Sequence, residues 1–377
     1  RKIILGGIGP SGVAYELMET FNFIDFVVIG EGENSTVNLL KEIRGKADYS
    51  SVPGIVYREN EKVIQTSNHQ RISDLDIVPL PAYHHISFND YNRVGVISTR
   101  GCPYPCTFCD SAPFWENIFT KRTVQNLIEE IEYIVDNFNL TVIDICDDLF
   151  FANKARCLEF CDELINRGIK IKWSCSVRVD LVDEPLIKKM AESGCTCLFF
   201  GVESGSDKVL SRIRKNITID QAKTSILIAR KYIDEVITSF MWGFPFESID
   251  EFIETTEFLL FLVENGATPW FFMLCPFPLS GLYKEFYDRI GFSDELCSNM
   301  IGANMTSDMR EMVLQYPSIF PGYYHYKSAN LDLKHKVASQ LGRPYLLPGE
   351  IKDIIESIKV KQDSLQQSYK KGYEATN

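Results

Sequence analysis

Between residues 94 and 275 the sequence alternates six strand-like runs, rich in β-branched and aromatic residues, with longer runs whose apolar residues recur at helical spacing. The strand-like runs are Val94–Ser98, Leu140–Cys146, Ile171–Val177, Cys195–Val202, Val236–Trp242 and Trp270–Cys275. The helix-like ones are Thr123–Asn137, Lys154–Arg167, Glu184–Glu192, Ser206–Ile213, Ile219–Tyr232 and Ile249–Glu264. A strand that leaves through a helix returns parallel to its predecessor, and right-handed crossovers curl such units toward a barrel. The expected fold class is therefore α/β, with a partial (β/α)6 TIM-like barrel over residues 94–285. Functional groups of such folds gather at the carboxyl ends of the strands.

The flanks read differently. Residues 1–50 give strand, glycine turn, helix, strand, turn and helix, a pattern that implies two parallel strands of a Rossmann-like unit. Its turn contains Gly7-x-Gly9-x-x-Gly12, a literal dinucleotide fingerprint that is weak alone. The long doubly wound sheet of a nicotinamide domain does not follow, because Pro53 and an alternating stretch to Ile64, with a turn near Asn60, come next. Residues 51–93 are a connector holding that hairpin; within it His84 and His85 are adjacent, point apart on extended chain and read as a polar surface step. Two strands are too few to stand alone, and the chain opens with Arg1 directly in a strand, so a preceding segment is expected. Residues 286–377 lose the alternation; aromatic residues from Phe320 to Tyr326 and a charged helix from about Gly349 to Gln367 suggest a mainly helical cap.

The densest chemistry lies in Ser98–Asp110, where Cys102, Cys106 and Cys109 are spaced Cys-x3-Cys-x2-Cys in a loop punctuated by glycine and proline. A 4Fe-4S cluster is normally held by four thiolates, so three leave one iron open to another ligand. Zinc sites pair Cys-x2-4-Cys with a second pair further on, and no such pair follows here. The chain has 11 cysteines and no secretory leader, which argues for a reducing cytosol and a cytoplasmic protein. Cys157 with Cys161, and Cys195 with Cys197, could be ligand pairs but read better as small buried hydrophobes. With 45% hydrophobic residues and no run of eighteen apolar ones, a soluble chain without a membrane span is expected. A formal charge of -12 speaks against a broad grip on nucleic-acid phosphates.

The loop resembles the signature of the radical S-adenosylmethionine superfamily. The resemblance implies that the open iron chelates the amino and carboxylate groups of S-adenosylmethionine, that Phe108 lies by the adenine, and that reductive cleavage yields a 5′-deoxyadenosyl radical. Ile4-Leu5-Gly6-Gly7, then a helix, then Asp25–Glu33 is similar to the last third of the cobalamin-binding domain that precedes one class of these enzymes. Gly6, Gly7 and Glu31 are thereby candidates for contact with the cofactor's nucleotide tail, although Gly6 and Gly7 could merely permit a tight turn. None of His69, His84, His85, His325 and His335 lies in that domain's Asp-x-His-x-x-Gly pattern.

The resemblance assigns the strand ends too. Asp147 and Asp148 would accept from the methionine ammonium, or serve as a helix N-cap pair. Arg178 resembles the arginine near the methionine carboxylate, or pairs only with Asp180 or a neighbouring strand. Gly201–Asp207 resembles the ribose-contacting motif, with Glu203 and Ser204 as its polar members, and Gly243–Glu247 resembles the turn beside adenine, where Glu247 could equally be the first-turn acid of the next helix. Methylthiotransferases of the superfamily carry three further cluster cysteines upstream, and residues 1–101 have none. Either late cysteine, Cys275 or Cys297, could be a catalytic thiol, though burial is the commoner fate.

The expected function is a single-cluster radical enzyme abstracting hydrogen from an unactivated carbon of a small-molecule, lipid or peptide substrate, served by a reductant such as flavodoxin or ferredoxin. Two alternatives stand beside it: a cobalamin-dependent C-methyltransferase and a non-catalytic iron–sulfur protein.

Overall fold

The computed structural model describes residues 1–67, 71–88, 90–296, 305–342 and 347–374, so His69 and Cys297 lie outside the described residues. The first sheet begins with β1 (Ile4–Leu5), which leads through helices α1 (Ile8–Gly12) and α2 (Ala14–Thr20) to the parallel β2 (Phe26–Val28). After α3 (Gly32–Arg44), the hairpin of β3 (Ile55–Glu59) and β4 (Lys62–Gln65) adds antiparallel to β2. Asn60 and Glu61 make the hairpin turn with φ of 48° and 65°, the left-handed pair that a two-residue connection of primed type requires. The hairpin read in the connector is thus built into the N-terminal sheet. It enlarges two strands to four and packs Val56 beside Met18 and Val27 on one face, and Ile55 and Tyr57 beside Phe26 and Leu39 on the other.

The second sheet starts at β5 (Val94–Val96). A short antiparallel pair, β6 (Thr99–Arg100) with β7 (Thr120–Lys121), flanks the cysteine loop and the four-residue α4 (Ser111–Phe114). The repeats follow: α5 (Val124–Phe138), β8 (Val142–Ile145), α6 (Lys154–Asn166), β9 (Lys172–Val177), α7 (Glu184–Glu192) and β10 (Cys195–Glu203). They continue with α8 (Asp207–Arg212), α9 (Ile219–Arg230), β11 (Glu235–Trp242), α10 (Ile249–Glu264) and β12 (Thr268–Met273). The six strands β5, β8, β9, β10, β11 and β12 stand in chain order with every pairing parallel, an open partial barrel. The expected elements appear with small shifts at their ends. β12 starts before Trp270 because an edge strand tolerates Pro269, whose missing N–H faces no further strand.

Local chemistry fixes these helices. Thr123 caps α5 by accepting from the Asn126 N–H, Leu127, Ile128, Ile131 and Ile134 bury its inner face completely, and Asn139 ends it at φ 54°. Each such aliphatic side chain contributes about 1.5–3 kcal/mol on burial. Helices α9 and α10 open with capping boxes, Thr218 with Gln221 and Ser248 with Glu251. Cys157, Cys161, Cys175 and Cys195 are at most 3% exposed and belong to this helix-packed core.

After the barrel come a helix at Gly281–Glu285, a small antiparallel pair of Ile290–Gly291 with His325–Tyr326, and helices Ser307–Gln315, Leu331–Leu341 and Pro348–Glu374. The expected helical region is present; its last helix starts at Pro348 and runs beyond Gln367. Tyr326, from the aromatic run, is buried in the barrel core. No helix among the described residues is long and apolar enough to cross a membrane.

Candidate active site

The loop bearing Cys102, Cys106 and Cys109 is suspended from distant parts of the barrel. At its start, the Asp147 carboxylate accepts from the backbone N–H groups of Ser98 (2.7 Å) and Thr99 (2.9 Å) and from the Ser98 hydroxyl. Gly101 then turns with φ 88°, and a Cβ there would lie 2.3 Å from the Ile118 carbonyl oxygen. Midway, the Thr107 N–H donates to Ile213 O (3.0 Å) while Thr107 O accepts from the Leu282 N–H (2.8 Å). The three thiols are half-buried. Burial pushes all three above the usual cysteine value, Cys109 to about 12, while the Lys215 ammonium and Arg178 guanidinium oppose the rise at Cys106. Thiols of this kind give up their protons when a metal takes the charge, so the donor set fits an iron cluster. Among the described residues no group of three or more His, Cys, Asp or Glu side chains is arranged to hold a single metal ion.

Glu203 ends β10 at φ 78°, a left-handed conformation rare for a residue with a side chain. Its carboxylate accepts from the Lys215 ammonium at 2.7 Å, both side chains being buried. Gly201 makes the room: a Cβ there would sit 2.6 Å from Glu203 Oε1 and 3.1 Å from Lys215 Nζ. Lys215 Nζ also lies 5.8 Å from the centre of the Phe108 ring, so Glu203, Lys215, Phe108 and Cys106 form one group. Asp148 accepts from the Trp115 indole N–H (2.8 Å) at the margin of the same loop.

Five other candidates hold different posts. Asp147 is turned inward against Ser98 and Thr99, which makes it a brace for the cysteine loop rather than an acceptor for an ammonium. Ser204 exchanges a hydrogen bond with the Thr255 hydroxyl of α10 and accepts from the Ser206 N–H, both at 3.1 Å, and is fully buried. Arg178 donates twice to Asp180 (3.0 and 3.1 Å) and once to Lys215 O (2.8 Å), with its guanidinium 3.7 Å above the Tyr104 ring. Its fork is filled by the partner weighed as the alternative, and it steadies Tyr104 within the cysteine loop. Gly243, at φ 88°, donates its N–H to Glu247 Oε2 at 3.2 Å. Glu247 in turn faces the buried Lys334, which is neither a first-turn acid's nor a ligand's setting.

A cleft of about 710 Å³ lies where the N-terminal sheet meets the barrel. Gly6, Gly7 and Glu31 line one side, and Trp115, Cys146 and Asp148 the other. Gly7 takes φ 92°, and a Cβ there would meet nothing within 4 Å, so this turn opens onto the cleft. Glu31 lines it as well, but its carboxylate accepts from Arg100 Nη1 (2.7 Å) and the Ile72 N–H (2.7 Å) and faces Arg71 Nη1 (3.3 Å). Glu31 is therefore a clamp between the sheet and Arg100, two residues ahead of Cys102. Lys215, Trp115, Arg71, Arg100 and Lys334 escaped the sequence reading. Only Arg100, inside the cysteine stretch, carried a local signal.

The model for the radical SAM superfamily matches residues 96–259. The chain carries a radical SAM domain. Its family implies a 4Fe-4S cluster and S-adenosylmethionine as cofactors. The chain is 30% identical over 287 residues to an uncharacterized methyltransferase of Pyrococcus horikoshii, covering 75% of this chain and 62% of the relative. It is 26% identical over 368 residues to the anaerobic magnesium-protoporphyrin IX monomethyl ester cyclase of Rubrivivax gelatinosus, covering 94% and 65%. It thus spans less than two thirds of either relative. Among solved structures, the radical S-adenosylmethionine methyltransferase TsrM of Kitasatospora setae, with cobalamin and a 4Fe-4S cluster bound, shares its fold with a TM-score of 0.67 at 16% identity over 79% of this chain and 58% of that one.

Proposed function

We propose that this chain is the catalytic part of a cobalamin-dependent radical S-adenosylmethionine enzyme that transfers a methyl group to a carbon of its substrate. The observation carrying the proposal is the cleft between the Gly6–Gly7 turn and the barrel wall at Trp115 and Asp148, which adjoins the cysteine loop. The names of the relatives support methyl transfer over the hydrogen abstraction alone that the sequence suggested first.

When bound, the cluster and S-adenosylmethionine supply reductive cleavage of a sulfonium, and cobalamin supplies a methyl carrier. Cys102, Cys106 and Cys109 hold the cluster. Glu203, fixed by Lys215, would accept from ribose hydroxyls, and Phe108 would lie by the adenine. Asp148 would accept from the methionine ammonium. Gly6 and Gly7 would let the corrinoid tail approach the backbone, and the Glu31–Arg100 clamp holds sheet and cysteine loop in one frame. A flavodoxin- or ferredoxin-like reductant supplies the electron.

The test is oxygen-free reconstitution with iron, sulfide, hydroxocobalamin and S-adenosylmethionine bearing a deuterated methyl group. Retained corrinoid absorbance together with 5′-deoxyadenosine is the expected result; an intact, reduced cluster that yields no nucleoside product in the presence of substrate sinks the proposal. Cyclisation after hydrogen abstraction is the second reading, favoured by the cyclase similarity across nearly the whole chain. A protein that makes 5′-deoxyadenosine but never takes up corrinoid would select it.

A further inference from the structure

The barrel sheet turns one face to its helices and the other to its interior, and the interior face divides into two chemistries. On β8 and β9 it carries Asp144 and Ser174, in register with each other, with the Ser174 hydroxyl donating to Asp144 at 2.6 Å and Arg93 facing the same carboxylate at 3.3 Å. On β10, β11 and β12 it carries Phe199, Met241, Trp270 and Phe272. Their strand neighbours Phe200, Phe240, Trp242 and Met273, on the helix side, are at most 6% exposed, whereas Trp270 is 44% and Phe272 47% exposed. Aromatic surface of that size left open on an inner sheet face is costly in water.

The geometry of this wall is specific. Phe199 and Trp270 meet at 5.6 Å and 69°, Trp270 and Phe272 at 5.9 Å and 88°. Each edge-to-face pair covers one face of one ring, and the faces turned to the interior can take a further flat group. Gly201 and Ser239 stand level with Trp270 across the three strands; the Glu203–Lys215 pair fills the space over Gly201, the small Ser239 leaves the wall low beside Trp270, and Met241 stands level with Phe272. The wall also rises to the reactive rim: Gly201 precedes Glu203 by two residues and Met241 precedes Gly243 by two.

We propose that this wall seats the substrate, and that the substrate carries a planar aromatic or conjugated ring whose polar groups turn toward Asp144 and Ser174. The proposal rests on the reading that the carboxyl end of this barrel is where the reaction occurs, and it narrows small molecule, lipid or peptide to a ring-bearing small molecule. An aliphatic chain would fill the same volume without using the ring faces, so flatness is the property to test.

The probes are 2-naphthalenemethanol and its fully saturated decalin counterpart, titrated by tryptophan fluorescence into the cluster-loaded protein. The flat probe is expected to bind roughly tenfold more tightly than the puckered one. The double variant Trp270→Leu/Phe272→Leu is expected to lose that preference while its S-adenosylmethionine titration stays as in the parent. Ser239→Phe, which adds a further ring level with Trp270 on the neighbouring strand, should exclude the flat probe. Equal affinity for the two probes, or a preference that survives in both variants, overturns the proposal. A parent protein that shows the Trp270-dependent preference yet does not bind S-adenosylmethionine would uphold the ring seat and defeat the proposed function instead.

Discussion

Lys334 reaches Glu247 at 3.0 Å with neither side chain exposed, and its ammonium also donates to the Glu247 carbonyl at 2.7 Å. The helix Leu331–Leu341 is thereby pinned to the turn that Glu247 shares with Gly243. Burial pushes the Glu247 carboxyl up, and the Lys334 charge opposes it. Removing one member of a buried pair leaves an uncompensated charge, so Lys334→Met is expected to lose about 3–5 kcal/mol of stability. Adding Glu247→Leu should restore part of it. Urea unfolding of the two variants reads both numbers, and a single variant as stable as the parent would refute the pairing.

Asp147 and Asp148 are adjacent and should fail differently. Asp147→Ala leaves the Ser98 and Thr99 N–H groups unpaired at the root of the cysteine loop, so iron content per chain after reconstitution should fall sharply. Asp148→Ala should load iron normally and weaken S-adenosylmethionine by about tenfold, the loss of one charge-assisted hydrogen bond. Iron assay and calorimetric titration separate the two.

Gly101→Ala puts a methyl group 2.3 Å from the Ile118 carbonyl at a left-handed backbone. The expected outcome is a loss of about 2 kcal/mol or more and a loop that does not load iron. Gly7→Ala, at φ 92° and ψ 179° in a region that glycine alone occupies readily but open around its would-be Cβ, should keep iron content while costing about 1–3 kcal/mol of backbone strain.

Asp183 sets a pH dependence away from the site. Its hydrogen bond to Lys154 holds the carboxyl below the usual value. A carboxyl depressed in the folded state adds stability above the unfolded-state value and loses it as pH falls through the folded one. Asp183→Asn keeps the cap on the Leu186 N–H but has no charge to lose. The parent should therefore be the more stable protein at neutral pH, with the gap closing as pH drops below about 4. Thermal melts at two pH values check this, and a gap independent of pH counts against it.

The barrel was legible because its strands and amphipathic helices differ in period, and the caps Thr123, Thr218 and Ser248 fall where local sequence puts them. The cysteine loop was legible from spacing. What the sequence hid was the direction of side chains. Asp147 and Asp148 follow one another, and only the fold decides which one turns in to the Ser98 backbone. Ser204 looked like a ligand contact until α10 brought Thr255 against it. Lys215 and Lys334 find their partners through tertiary packing, and no local pattern marks a lysine that will be buried.

The suspension of the cysteine loop bears on the order in which the protein matures. Thr107 is tied on one side to Ile213 and on the other to Leu282, which belong to parts of the chain synthesised long after the cysteines themselves. Until those partners have emerged and docked, the middle of the loop lacks the two bonds that hold Thr107 to the barrel. Iron delivered before those partners have docked would meet a loop held at its root and by its own turns alone, so cluster loading is expected to follow the docking of Leu282, which lies beyond the sixth strand.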